Sequence, residues 1–339
     1  MPIKRFIRIV FFVYIPAKGL YNELYFECQN KWGEDVLEEE RRGIIWATGA
    51  YLVWGVLPIY WKWLDHVPSD EILTSRILWA FIFTMIFVVI IRNSKLLIED
   101  IRTLWENKKA FWSLFAASAL ISVNWFLYIW AVNNNHLVET SLGYYINPLV
   151  SVLLGIFFLK EKLTTAQKIA FLMAAVGVII LTVSYGRFPW LAFTLAISFG
   201  LYGLMKKTIP LDALRGLAIE TLFTAPFALI YYVYLFINGR AMLFHDSIQS
   251  DILLILTGIA TAIPLLLFAK GAQKLPLYLI GFLQYIAPTC MLFLGVIIYG
   301  ETFNAIDLLS FSCIWLALIL FTVSKVLESR AKTRKLLDI

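Results

Sequence analysis

Apolar residues in this chain fall in continuous blocks of about 20, the length that crosses a hydrocarbon core of roughly 30 Å as a helix. Ten such blocks are read: Gly43–Leu64, Ile72–Ile91, Phe111–Val132, His136–Leu159, Thr164–Ser184, Phe188–Met205, Arg215–Ile237, Ile252–Gly271, Leu277–Tyr299 and Ile306–Val326. The runs do not alternate over about ten residues as barrel strands would. A helix also pairs its backbone amides locally, which lipid demands. The expected fold class is therefore an all-α polytopic membrane protein with ten transmembrane helices. Composition agrees: 60% of the 339 residues are hydrophobic, 15% are charged and the mean hydropathy is +0.78. A soluble fold has nowhere to bury so many helices that are apolar all round.

Charge sets the expected orientation. Flanks on one side of the spans hold 20 Lys and Arg, including Arg92, Lys108, Lys160, Lys207, Lys274 and Lys335; the other side holds Lys62, Arg187 and Arg240. Basic flanks stay inside, so both termini are expected in the cytoplasm, with membrane lipid around the spans. The net charge of +6 is this topology signal. Nucleic acid is not expected as a partner, because the basic residues are scattered over short loops rather than gathered on one face.

Cys28, Cys290 and Cys313 show no disulfide or metal spacing. His66, His136 and His245 read as scattered surface residues. Neither a metal nor a cofactor is expected. The sequence has no Gly-rich phosphate loop ending in Lys and Ser/Thr, no His-Glu-x-x-His helix and no G-x-S-x-G elbow, so an enzyme is not expected.

Residues 1–42 stand apart as an N-terminal extension. An apolar run from Ile7 to Ile15, broken by Arg8, is too short to span, and a polar stretch from Glu34 to Arg42 follows. An interfacial segment and a start assigned too far upstream are both open, although no Met occurs between Met1 and Met85.

The spans repeat. At a shift of 140, Tyr145, Ile146, Pro148, Leu154, Gly155 and Glu161 meet Tyr285, Ile286, Pro288, Leu294, Gly295 and Glu301, and Leu137 meets Leu277. Near a shift of 145, Trp54-Gly55 and Lys62 meet Phe199-Gly200 and Lys207. The expected units are residues 43–184 and 188–327, five spans each, followed by a basic tail at 328–339. Five is odd, so the second half must enter the membrane from the opposite side. Inverted halves of this kind characterise secondary transporters with a site near the midplane.

Pro148 and Pro288 lie at matching places. Each removes an amide donor and frees a carbonyl about four residues earlier, at Tyr144 and Gln284. Paired interruptions point to a transporter site; a tolerated packing kink is the other reading. The expected consequence is a bend in each helix and a central cavity to which Asn147, Gln284 and Tyr144 contribute. Asn124 is a further cavity candidate, or a hydrogen bond across helices. Arg76 could attract an anionic solute, or pair with Asp70 or Glu71 within a turn. Glu220 and Lys270 are candidates for coupling to protons: Lys270 could reach Glu220, or Glu220 could take up a proton, or both could sit at the interface as a glutamate and a snorkelling lysine. Trp54, Tyr60, Trp61, Trp125, Tyr128 and Trp130 suit an interface belt or a cavity wall.

Several segments together resemble the RarD group of the EamA (drug/metabolite transporter) superfamily. They are Pro68-Ser-Asp-Glu-Ile-Leu-Thr-Ser-Arg76, Asn124-Trp-Phe-Leu-Tyr-Ile-Trp-Ala-Val-Asn-Asn134, Ser141-Leu-Gly-Tyr-Tyr-Ile-Asn-Pro148, Phe199-Gly-Leu-Tyr-Gly-Leu-Met-Lys-Lys207, Ile219-Glu220-Thr221, Gly281-Phe-Leu-Gln-Tyr-Ile-Ala-Pro-Thr289 and Tyr299-Gly-Glu301. The resemblance spans Gly43 to about Val326. It implies two inverted EamA repeats, a bacterial inner membrane and a permease for a small metabolite or drug-like solute, working by alternating access. An uncoupled facilitator or exchanger is the alternative, ahead of an intramembrane enzyme or lipid-handling protein. Substrate, direction, proton coupling and a homodimer stay open.

Overall fold

The computed structural model describes residues 18–133, 137–186, 188–298, 300 and 304–337, with side chains from Glu38 to Glu328 apart from 129, 132–140 and short gaps at 187, 299 and 301–303. The apolar run at Ile7–Ile15, the start of the fourth predicted span at His136, and Tyr299 and Glu301 lie outside the described residues.

All the regular structure among these residues is helical: α1 Lys18–Lys62, α2 Ser69–Ile90, α3 Ser94–Glu106, α4 Lys108–Asn133, α5 Leu137–Leu159, α6 Thr165–Ser184, α7 Trp190–Thr208, α8 Ala213–Ile237, α9 Ile248–Lys274, α10 Leu277–Gln284, α11 Ile286–Phe293 and α12 Ala305–Leu337, with a π-helical turn at Leu294–Ile298 after α11. Nine stretches among the described residues are long and apolar enough to cross a membrane. The sixth predicted span, α7, is not among these nine, because its last turn carries Lys206 and Lys207 and makes it less apolar. The predicted ninth span is one stretch, Leu277–Ile298, assembled from α10, α11 and the π-helical turn.

Two segments depart from the sequence pattern. The basic connection at Arg92–Lys109 contains α3, a short amphipathic helix that buries Leu97 and Leu104 and leaves Ile98 and Trp105 exposed. Its Asp100 accepts from Arg215 Nε at 2.5 Å, which ties α3 to the first turn of α8. The N-terminal extension from Lys18 onward runs without a break into the first span as α1. There Arg42 pairs with Glu38 at 2.6 Å, Glu39 pairs with Lys274 of α9, and Glu40 pairs with Lys325 of α12 at 2.6 Å.

Packing obeys the exchange of halves. α1 packs on α9 as α7 packs on α4; α2 on α9 as α8 on α4; α1 on α11 as α7 on α5. The remaining principal contacts join counterparts directly: α2 with α8, α5 with α10, and α6 with α12. This is the pattern expected of two inverted five-helix repeats about one pseudo-two-fold axis.

Small residues permit the close approaches that lipid-embedded helices depend on. A Cβ on Gly281 of α10 would come within 2.7 Å of the Pro148 carbonyl of α5, and one on Gly258 of α9 within 2.4 Å of the Trp79 backbone. The halves therefore meet backbone to backbone at the proline of α5.

The two prolines have different consequences. α5 continues through Pro148 as one helix. Around Pro288 the ladder breaks at Tyr285, whose N–H turns back to Phe282 O at 3.3 Å before α11 resumes. The sequence leads to a bend in each helix; the backbone ladder itself parts only in the second half. A proline removes one donor, but the ladder parts only where the rest of the turn also yields.

Candidate functional site

A cavity of about 940 Å³, measured out to its mouth, lies between the two halves. Its walls include Tyr51, Trp54 and Trp61 of α1, Arg76 of α2 and Asn124 and Tyr128 of α4, facing Phe199 of α7 and Gln284 and Pro288 of the broken helix. Tyr144 and Asn147 of α5 complete it, and their repeat counterparts, Gln284 and Ala287, line it from the other half. The cavity therefore sits on the pseudo-two-fold axis, reaching towards the end of the bundle that carries few basic residues.

The polar lining is held from outside the cavity. Asn124 Nδ2 donates to Leu195 O and to Ser198 Oγ, both at 2.9 Å, so it bridges α4 to α7 while facing the cavity. Gln284 Oε1 accepts from Ser151 Oγ at 3.1 Å, and Tyr145 Oη donates to Pro288 O at 3.4 Å. The rings of Tyr128 and Tyr144 meet edge to face at 5.8 Å. Asn147 is 7% exposed, and its Oδ1 has no hydrogen-bond partner among the described residues.

Arg76 is pointed into the cavity rather than paired within its own turn. Asp70 accepts from Tyr231 Oη at 2.7 Å, and Glu71 accepts from the backbone N–H groups of Met242 and Leu243 at 2.9–3.0 Å. Both carboxylates are thus committed to α8 and the loop after it. The Arg76 guanidinium lies over the rings of Trp61 and Trp125, 4.7 and 4.9 Å from their centroids, and its Nε donates to Thr261 Oγ1 at 3.1 Å.

Beneath the cavity, towards the basic loops, lies an aromatic layer. Phe268 of α9 contacts Trp54, Phe199 and Tyr202, with centroids 5.4–5.9 Å apart. Below it Glu220 accepts from Lys206 Nζ at 2.8 Å and from Tyr202 Oη at 3.2 Å. Both charged side chains are almost fully buried. Ser118 Oγ caps the arrangement by donating to Glu220 O at 2.8 Å.

This corrects the expected partner of Glu220. Lys270 instead stands 4.8 Å from the ring of Trp46. The reason is helix phase: Tyr202 and Lys206 are one turn apart, so they share the face of α7 that meets α8. Glu220 does not line the cavity; the aromatic layer and Tyr202 separate it from the lining. Lys206 was hidden among the basic flanking residues, and only its four-residue spacing from Tyr202 signals an inward face.

A second carboxylate secures the same end of the bundle. Glu161, after α5, accepts from the N–H groups of Leu277 and Tyr278 at 2.7 and 2.9 Å. Those are free donors at the first turn of α10, where negative charge is favoured.

A cavity on the axis between inverted halves of a helical membrane bundle defines a membrane transporter. The chain belongs to the EamA-like transporter family, matching it over residues 41–183 and 188–323, and within that family to the RarD type. It is 49% identical over 294 residues to the uncharacterized transporter YojE of Bacillus subtilis (strain 168), covering 86% of this chain and 97% of YojE. It is 38% identical over 297 residues to protein RarD of Escherichia coli (strain K12), covering 88% and 99% of the two chains. A solved crystal structure with 18% identity superposes with a TM-score of 0.63 over 83% of this chain and 96% of its own, which supports the fold. The protein is thus a multi-pass membrane protein with bacterial relatives, and its cargo is a small molecule.

Proposed function

We propose that this protein is a secondary transporter that moves a small metabolite or drug-like solute by alternating access. The observation that carries the reading is the cavity, lined at repeat-matched positions by both halves and floored by a thin closure. Tyr51, Trp54, Phe199 and Phe268 form an aromatic layer over the buried Lys206–Glu220 pair. The charge bias assigns the basic end to the cytoplasm, so the cavity is accessible from outside and closed within. Rocking one half against the other would open the floor and close the opposite end.

Glu220 is the coupling candidate in this scheme. A proton on its carboxylate would remove half of a buried ion pair that helps close the floor, so protonation and opening would favour each other. The test is flux of a metabolite panel into proteoliposomes with and without a proton gradient. Gradient-stimulated uptake of at least one solute supports coupled transport. Flux that ignores the gradient assigns an uncoupled facilitator, and no saturable flux of any solute rejects the transport cycle.

A further inference from the structure

We propose that the cavity selects small organic acids, binding a single carboxylate at Arg76 and a hydrogen-bond donor of the solute at Asn147. The inference rests on the transporter reading for its biological setting, but the site stands on its own geometry. Arg76 is the only side chain charged at neutral pH among the described residues lining the cavity. No carboxylate among the described residues lies within ion-pair distance of it, since Asp70 and Glu71 are turned towards α8 and the following loop. A cation inside a membrane bundle is costly without a counter-charge. The Trp61 and Trp125 faces compensate in part, and Thr261 takes one of five N–H donors. The remaining fork is suited to an oxyanion.

The charge count favours a monoanion. One guanidinium neutralises one carboxylate, whereas a phosphate monoester would carry a second negative charge into a low-dielectric cavity with no other cation to meet it. Asn147 supplies an independent constraint. Asn147 lines the cavity, and its Oδ1 is buried and has no donor among the described residues; an acceptor left unmet in such a place costs free energy. A hydroxyl or amine N–H on the solute would satisfy it. The Tyr51 hydroxyl, also buried and without a partner among the described residues, belongs to the same lining. The preferred solute has one carboxylate, one neighbouring donor and an apolar body.

The test uses the full-length protein in lipid nanodiscs and compares matched probes by tryptophan fluorescence and thermal stabilisation. The probes are hexanoate, 3-phenylpropionate and 3-phenyllactate, the amide of each, benzyl phosphate and benzylamine. Each acid should bind at least about tenfold more tightly than its amide and than the phosphate or the amine. Arg76→Lys should keep the preference for acids with weaker binding, and Arg76→Gln should bind acids and amides alike. Asn147→Leu should remove the advantage of 3-phenyllactate over 3-phenylpropionate. Equal binding of acids and amides by the unmodified protein, a preference for the amine or the phosphate, or no binding of any probe would overturn the inference. The same probes in proteoliposomes keep the two readings apart. Binding of acids without flux supports the site and rejects transport; flux of neutral or cationic solutes without a preference for acids supports transport and rejects the site.

Discussion

Trp54 and Phe199 occupy matching positions in the two halves of the chain, and their rings meet edge to face with centroids 5.7 Å apart. Residues related by the repeat thus touch each other across the pseudo-two-fold axis, at the floor of the cavity. Edge-to-face pairs contribute about 0.5–1.5 kcal/mol beyond the area they bury. A double-mutant cycle with Trp54→Ala and Phe199→Ala should return a coupling energy of about that size. The measurement is reversible unfolding in detergent, and strict additivity would show that the contact contributes nothing specific.

Lys206 and Glu220 form a buried ion pair, and removing one partner leaves a buried charge uncompensated. Glu220→Gln or Lys206→Met alone should each destabilise the protein by about 3–5 kcal/mol, while the double replacement Lys206→Met with Glu220→Leu should recover most of the loss. Thermal stability and abundance in the membrane check this. The double variant, being stable, is also the proper form in which to test coupling: its flux should no longer respond to a proton gradient. Gradient-stimulated flux in that variant at the unmodified rate would exclude Glu220 as the coupling group.

Glu161 and Glu71 both accept from backbone amides across the bundle. Glu161→Ala should lower stability by about 0.5–2 kcal/mol, the range for loss of a helix cap. Hydrogen exchange at Leu277 and Tyr278 should accelerate in this variant, while exchange at Met242 and Leu243 stays as it was. Glu71→Ala should show the converse. Unchanged exchange at the amides each carboxylate meets would mean that those bonds do not persist in the membrane.

The charge bias predicts topology directly. Reporter fusions after Lys335 and within Arg92–Lys109 should report cytoplasm, and a fusion near His245 should report the outside. An external signal from the segment containing α3 would reverse the orientation and with it the assignment of the closed end.

Deletion of residues 2–36 behind a new Met should preserve membrane insertion and transport. Glu39 and Glu40, which pair with Lys274 of α9 and Lys325 of α12, lie beyond the deleted segment. Deletion through Arg42 removes both and should lower thermal stability. Loss of insertion in the shorter deletion would show that the extension is needed for assembly.

Hydropathy and charge were enough to determine the spans and their inverted arrangement, because lipid makes length and apolar content obligatory for each crossing helix. The repeat was legible for a similar reason: Pro148 with Pro288 and Trp54 with Phe199 keep their spacing from one half to the other. A central cavity bordered by Asn147, Tyr144 and Gln284 was expected from the paired prolines; that Arg76 borders the same cavity became visible only with the helices packed, and so did the commitment of Asp70 and Glu71 elsewhere. Choice of partner was decided by tertiary structure. Lys206 and Lys270 both lie near one membrane face, and local sequence alone does not distinguish them as mates for Glu220. Helix rotation does: the turn from Tyr202 to Lys206 faces α8, while Lys270 meets Trp46. A sequence sets the periodicity of a helix, but its rotation about its own axis is set by the neighbours it packs against, and that rotation determines which charges meet.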